Sequence, residues 1–383
     1  MADGDFKFEK CLLKHFVRHQ GWLPLCKKRA QSLRTNAGNS RPRLKYFTFC
    51  AAGALDVMML EMEKVIRRSA SDMFDTVFFF DVNDTFVAQT RQRVPGAVGF
   101  PEEFVKVVLA DDTAEGGNID TIATLEPPEE DKFTTKVVDK NRVLAIRRQF
   151  VQSFPFDVIN LDLERYLFIP REELPGDLVN ALRNVFEWQR RAGTTKDRKK
   201  YKIDGFSLMF TLRLGPKELG DDYQKLMKDY ITANIANDAS LEPLFKKRSA
   251  DRSVTQFLRD DFEGFFKIAA PKTIMSLLHE QDWHVDPDHG VIAYEFERKT
   301  KKDPYRMLHV LMDVKRNSPS RERRGPGVES AAAKQAYATN VKKLFENDAI
   351  AVALQLKELG ESVIADHLDK VIAHRKKLSG DQG

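Results

Sequence analysis

Carboxylates recur where apolar runs stop. Asp81 closes TVFFF, Asp111 and Asp112 close VKVVLA, and Asp162 follows VINL. In an α/β sheet, ligands bind in the crevice beyond the carboxyl ends of the strands, so acids at successive strand ends are placed to meet one ligand. A lone acid of this kind more often caps a helix or turns the chain. The stretch CAAGALD, residues 50–56, adds a second feature. Its small residues Ala51, Ala52 and Gly53 let a partner approach the backbone closely, and the helix that follows offers free N–H groups. A plain packing turn uses the same residues, and this stretch alone leaves both readings open.

These residues need a scaffold, and the hydrophobic pattern supplies one. Residues 46–50 form a candidate first strand and 54–69 a first helix, with Leu55, Met58, Met59, Met62 and Ile66 facing inward. Residues 76–80 make a second strand, and a helix begins near Asp84. VKVVL, 105–109, reads as a third strand, 158–161 as a fourth and 206–214 as a fifth, with helices near 140–152 and 177–191. Such alternation predicts an α/β fold with helices packed on a mostly parallel sheet. The pattern then changes. Residues 216–281 are helical, and VIAYEFERKT and YRMLHVLMDVK, separated by KKDP, read as an antiparallel hairpin. The expected organisation is a helical extension over 1–40 with apolar Leu12, Phe16 and Trp22, an α/β domain over 41–316 with a helical insertion at 216–281, and a helical tail over 328–383.

Composition narrows the class. In 383 residues, 42% hydrophobic and 31% charged is the balance of a folded globular chain. No apolar run reaches the length of a membrane span, and MADGDFKFEK is too polar for a signal peptide, so a cytoplasmic protein without membrane contact is expected. Cys11, Cys26 and Cys50 show no CxxC pairing, which fits a reducing compartment and argues against a cysteine zinc site. The net charge of +5 is mild, but basic residues gather in 190–202 and 315–324. Such runs are solvated loops in most proteins and phosphate-contacting patches in some.

A five-stranded parallel sheet closed by an antiparallel hairpin, with acids at its strand ends, resembles the class I S-adenosylmethionine-dependent methyltransferases, a Rossmann-like family. Within that fold, WLPLC (22–26) upstream of KYFTFCAAGALD is similar to the three-Cys-motif partner family. The methyltransferase resemblance implies S-adenosylmethionine as cofactor. It places Cys50, Ala52 and Gly53 at the turn against the methionine end, although Ala51 and Ala52 stand where glycines are usual. It gives Asp81 the ribose hydroxyls, with Asp84 as the neighbouring alternative, and Asp111 or Asp112 the adenine amine. Methyltransferases acting on exocyclic amines of bases end the fourth strand with prolines and an aromatic; here the run is Asn160-Leu161-Asp162-Leu163-Glu164-Arg165-Tyr166, without proline. Asp162 is the candidate to orient or deprotonate a nucleophile, or else an N-cap. Tyr166 either stacks on a ring or fills the core. The expected reaction is methyl transfer, with nucleic acid favoured as acceptor through the basic loops and a protein partner for the C-terminal helices.

Two other readings compete. A methyltransferase-like sheet can serve as a non-catalytic binding protein for nucleic acid or a protein partner. Pro287-Asp288 with Glu297-Arg298-Lys299 also spells a metal nuclease site. An extended chain of about 3.3 Å per residue would hold those two acids roughly 30 Å apart, too far to share an ion. DWHVDPDH, 282–289, is dense in metal-ligand types but equally fits a charged turn entering a strand.

Overall fold

The computed structural model describes residues 8–36, 43–49, 53–110, 132–165, 167, 177–192, 204–214, 221–288, 290–298, 305–317 and 331–379. Among the described residues nine strands form one mixed sheet: β1 (Tyr46–Thr48), β2 (Val77–Asp81), β3 (Val98–Pro101), β4 (Val158–Arg165), β5 (Gly205–Arg213), β6 (Trp283–Val285), β7 (Val291–Arg298), β8 (Tyr305–Arg316) and β9 (Ile350–Ala351). Their order is β3-β2-β1-β4-β5-β8-β7-β9, with β6 also paired to β8. The first five strands are parallel, and β8 runs antiparallel between β5 and β7. The expected α/β fold, with a mostly parallel sheet closed by an antiparallel hairpin, is therefore present.

Side chains alternate across each strand, and two cores result. Phe47, Phe78, Phe80, Ile159 and Phe210 point to one face. Helices α5 (Phe104–Leu109), α6 (Lys132–Gln152), α7 (Asp177–Ala192), α8 (Asp221–Asn237), α9 (Leu241–Ser249), α10 (Val254–Asp260), α11 (Phe262–Glu280) and α12 (Ala331–Glu346) supply that core. Tyr46, Val77, Phe79, Val158 and Met209 point to the other. There they meet α1 (Phe8–Val17), a π-helical turn (Arg18–Trp22), α2 (Leu23–Asn36), α3 (Leu55–Met62), α4 (Asp84–Arg93), α13 (Val352–Leu359) and α14 (Glu361–Ser379). The N-terminal extension and α13–α14 of the C-terminal tail thus pack beside each other on one face of the sheet, while α12 of that tail packs on the other.

One strand was misplaced by the sequence reading. VKVVL is not the third strand but α5, and β3 is the shorter run just before it. The β-branched residues suit a strand locally, yet burying Phe104, Val105, Val107 and Val108 on one side of a short helix outweighs that preference. Gly99 explains the choice of β3: a Cβ there would lie 2.5 Å from the Phe79 ring and 2.8 Å from Val87. Only glycine lets α4 and the neighbouring side chain close over the strand. Asp111 and Asp112 consequently follow a helix, not a strand, and themselves lie outside the described residues. The helical stretch before the hairpin divides into α8–α11, with Ser253 and Gln256 forming a capping box at α10 and Asp261 accepting from the Gly264 N–H at α11.

Candidate functional site

At the carboxyl end of β1 the chain turns through Gly53 and Ala54. Ala54 adopts a left-handed conformation (φ 44°), and no side chain caps α3. A Cβ on Gly53 would lie 3.3 Å from the guanidinium of Arg375, which α14 brings over the turn. Cys50, Ala51, Ala52 and Tyr166 fall outside the described residues. Asp56 is not aimed at the crevice. It is buried in the first turn of α3 and accepts hydrogen bonds from Tyr46 Oη (3.0 Å) and Thr48 Oγ1 (2.8 Å). Asn160 Nδ2 completes the group by donating to Tyr46 Oη at 2.9 Å. This network fastens α3 to β1 and β4, which fixes the height of the turn above the sheet.

Asp81 ends β2. Its Oδ1 accepts the Asn83 N–H at 2.9 Å, a local turn that also sets Asn83 as N-cap of α4. The other Asp81 oxygen has no partner among the described residues, and Val82 beside it is 69% exposed. Asp84 is engaged differently. Arg142 from α6 bridges it (3.1 Å) and the Pro101 carbonyl (2.9 Å), tying together the ends of β2 and β3. Of the two neighbouring acids, Asp81 is therefore the one with an open acceptor.

At β4 the register with β5 shifts between Asp162 and Arg165, an irregularity of the sort that re-aims side chains beside sites. Asp162 lies within the strand, so the N-cap alternative does not hold. It stands level with Thr211 of β5, which stands level with His309 of β8. A row of polar side chains thus crosses the sheet under the first helices. Trp22 Nε1–H donates to His309 Nε2. That leaves the His309 proton on Nδ1, where it meets Thr211 Oγ1 at 2.7 Å. Burial depresses the His309 pKa to about 3, and the neighbouring Asp162 carboxylate only partly offsets this, so the ring is neutral. Lys14 of α1 reaches Asp162 Oδ2 at 2.5 Å. Burial pushes the Asp162 carboxyl up, but the Lys14 ammonium, its hydrogen bond and the charge of Arg18 together hold it below the usual range. Asp162 Oδ1 is buried and has no hydrogen-bond partner among the described residues. An ionised carboxylate with one oxygen fixed by an ammonium accepts a hydrogen bond well at the other and takes up a proton poorly.

The sequence reading named Asp162 and Gly53 but not their neighbours Lys14, Arg18, Thr211 and His309. Lys14, Arg18 and Trp22 are spaced four apart, a stripe on one helix face that carried the signal. The metal-rich stretch is explained by ion pairs. Asp286 faces Lys315 (2.8 Å) and Lys28 (3.6 Å), and His284 Nδ1 pairs with Asn317 Oδ1 at 2.6 Å. Glu297 lies at the far end of β7 from Asp288, and among the described residues no three metal-ligating side chains converge. Likewise, no described helix is long and apolar enough to cross a membrane. No protein-family model matches the chain, and no curated protein matches it.

Proposed function

We propose that the chain binds S-adenosylmethionine and transfers its methyl group, with the cofactor in the crevice above β1, β2 and β4. The observation that carries the reading is that an uncapped α3 N-terminus behind Gly53, with the Arg375 guanidinium over it, and the open oxygen of Asp81 lie beyond the carboxyl ends of the paired strands β1 and β2. These match the cofactor's chemistry. A guanidinium and free N–H groups suit its methionine carboxylate, a carboxylate accepts from its ribose hydroxyls, and exposed Val82 offers an apolar surface to adenine. The strand order, with an antiparallel strand between β5 and β7, supports the same reading at the level of fold.

When bound, the cofactor supplies a methyl group already activated by the sulfonium. The chain's own residues then have to position. Asp162 Oδ1 accepts a hydrogen bond from the incoming nucleophile and orients its lone pair, while Lys14 keeps the carboxylate fixed and ionised. Neutral His309, held by Trp22 and Thr211, supports the row from below and exchanges no proton near neutral pH. The basic runs 190–202 and 315–324, largely outside the described residues, favour nucleic acid as the acceptor.

Calorimetric titration with S-adenosylmethionine tests this reading. Micromolar binding that falls at least tenfold in Asp81→Ala is expected. A folded wild-type chain that binds no cofactor would overturn it and favour the non-catalytic alternative, in which the Lys14–Asp162 ion pair simply closes the position.

A further inference from the structure

The proposed reaction uses Arg375 of α14 but not the contacts that hold that helix in place. α14 meets α1 and the π-helical turn through three imidazoles. His15 of α1 is fully buried, and its Nε2 lies 2.8 Å from His367 Nδ1 of α14. The His19 ring of the π-helical turn lies 4.3 Å from the His367 ring. His367 Nε2 faces Glu63 Oε1, just past α3, at 3.4 Å. The protons follow from these partners. Burial raises the Glu63 carboxyl, but hydrogen bonds from Lys27 and His367 hold it below the usual range, so it is an ionised acceptor and His367 Nε2 carries a proton. His367 Nδ1 is then bare and accepts from His15 Nε2–H, which leaves His15 Nδ1 bare as well. That atom is buried and has no partner among the described residues. The pair is complete with both rings neutral. One more proton either sets two N–H groups against each other or ends as a buried His15 Nδ1–H without an acceptor, and both are costly.

The surrounding charges add to that cost. Glu63, the acid that faces the rings, is shared with Lys27 of α2 at 2.7 Å, and Arg18 of the π-helical turn is a further cation beside them. Burial first, then Arg18 and the other two imidazoles, depress the His15 pKa to about 3. Burial and His367 lower that of His19, with Glu63 only partly offsetting them. Two turns along α14, His374 pairs with Glu61, which also takes Arg68 at 3.0 Å. A proton there completes an ion pair and opposes opening, but with one ring against three. α14 joins α13 through Gly360, whose φ of 94° suits glycine and where a Cβ would meet nothing nearer than 4.0 Å, an open joint for the helix to swing on.

We propose that this histidine stack makes the docking of α14 proton-dependent: near neutral pH it latches the helix to α1 and the π-helical turn, and in weak acid the latch opens and takes Arg375 off the turn at Gly53. Ile364, Leu368 and Val371 are buried whatever the pH of the latch, so acid shifts an equilibrium instead of melting the helix outright. A ring that binds a proton below about pH 6.5 when undocked, and not when docked, shifts that equilibrium about tenfold toward the open form at pH 5.5. His15 alone supplies this factor. The consequence for the cofactor rests on the methyl-transfer reading: by linkage, a ligand that needs Arg375 in place favours the docked form and closes the latch again.

Amide hydrogen exchange of the full chain at pH 7.5 and 5.5, corrected for the intrinsic pH dependence of exchange, tests the latch without ligand. Protection of α14 is expected to fall about tenfold or more in acid while α11, on the other face, stays the better protected helix. His15→Gln replaces the titrating ring with an amide that can turn to donate or accept, and should cut the loss to about threefold or less. His284→Gln, outside the stack, should behave as wild type. Loss of protection in α14 and α11 to the same level, or a loss in His15→Gln as large as in wild type, overturns the proposal. If His15→Gln fails to fold by circular dichroism, His15→Phe, which also carries no titrating nitrogen, decides by the same comparison. A last arm adds saturating S-adenosylhomocysteine at pH 5.5, with binding read by calorimetry, and should restore α14 protection about fivefold or more. Binding without restored protection overturns the tie between latch and cofactor. No binding at either pH, with the acid-sensitive loss in α14 intact, counts against methyl transfer and leaves the latch standing.

Discussion

The two faces of the sheet are built from the same strands and do different work. The face under α5–α12 is a wall of rings. Phe150 of α6 sits among Phe47, Phe80, Phe100, Phe154 and Phe156, with centroids 4.9–6.0 Å apart and many edge-to-face contacts. The opposite face interleaves its apolar core with two buried polar groups, Tyr46–Thr48–Asp56–Asn160 and Asp162–Thr211–His309–Trp22. Aromatic packing is tolerant of orientation and gains mainly from area, whereas each buried polar group must find its partner or cost stability. Buried polar side chains such as Gln189 and Asn340 occur on the first face too, but they bond nearby main-chain groups; the row that spans three strands, Asp162–Thr211–His309, lies on the opposite face.

The largest expected effect breaks the aromatic side. Phe150→Ala should cost about 3–5 kcal/mol in urea unfolding, through lost burial and the cavity left behind. Cofactor affinity of the remaining folded protein should hold, because no proposed ligand contact lies on that face.

Next is the charged exception on that side. Lys272 of α11 is 2% exposed, its ammonium 4.4 Å from the Tyr230 ring centroid, and burial lowers its pKa to about 8. The unfolded chain keeps its proton up to about pH 10.4, so between those values the unfolded state binds more protons and stability rises with pH. Lys272→Met should therefore gain about 3 kcal/mol over wild type at pH 7, with the gap closing as pH climbs from 8 to 10.4. A constant gap across that range would assign the gain to packing alone.

On the polar side the effects are smaller and tied to function. Lys14→Met should cost about 2–3 kcal/mol by leaving the Asp162 carboxylate unpaired, and Asp162→Asn in the same chain should recover much of it. His309→Gln should flatten the acid limb. In wild type the unfolded ring takes a proton below about pH 6.5 while the folded ring resists it down to about 3, so stability falls as pH drops between them. Removing that group should spare about 2 kcal/mol of the loss between pH 7 and 5, read from melting curves of both proteins.

How much of this was legible depends on where each partner sits in the chain. β1, β2, β4 and β5 were readable because each is a compact apolar run with a turn behind it, and the β7–β8 hairpin because KKDP separates two such runs. β3 was not, since four residues around Gly99 give too little pattern and the adjacent VKVVL has stronger strand character than the helix it forms. Asp81 was visible as an acid at a strand end, and Asp162 as an acid after an apolar run, although β4 continues past it to Arg165. Lys14 and His309 were not, because their roles arise from contacts with residues 148 and 287 positions away along the chain, which no local window spans. Asp56 showed the reverse: conspicuous beside the glycine turn, it proves to be a fastener inside the core.

Amide chemical-shift mapping on addition of S-adenosylhomocysteine tests most directly whether the polar face carries the site. The account predicts that shifts concentrate at residues 53–57, 81–86, 160–163 and the Arg375 end of α14. Shifts centred on α8–α12 around Lys272, or none at all in a folded sample, would contradict it.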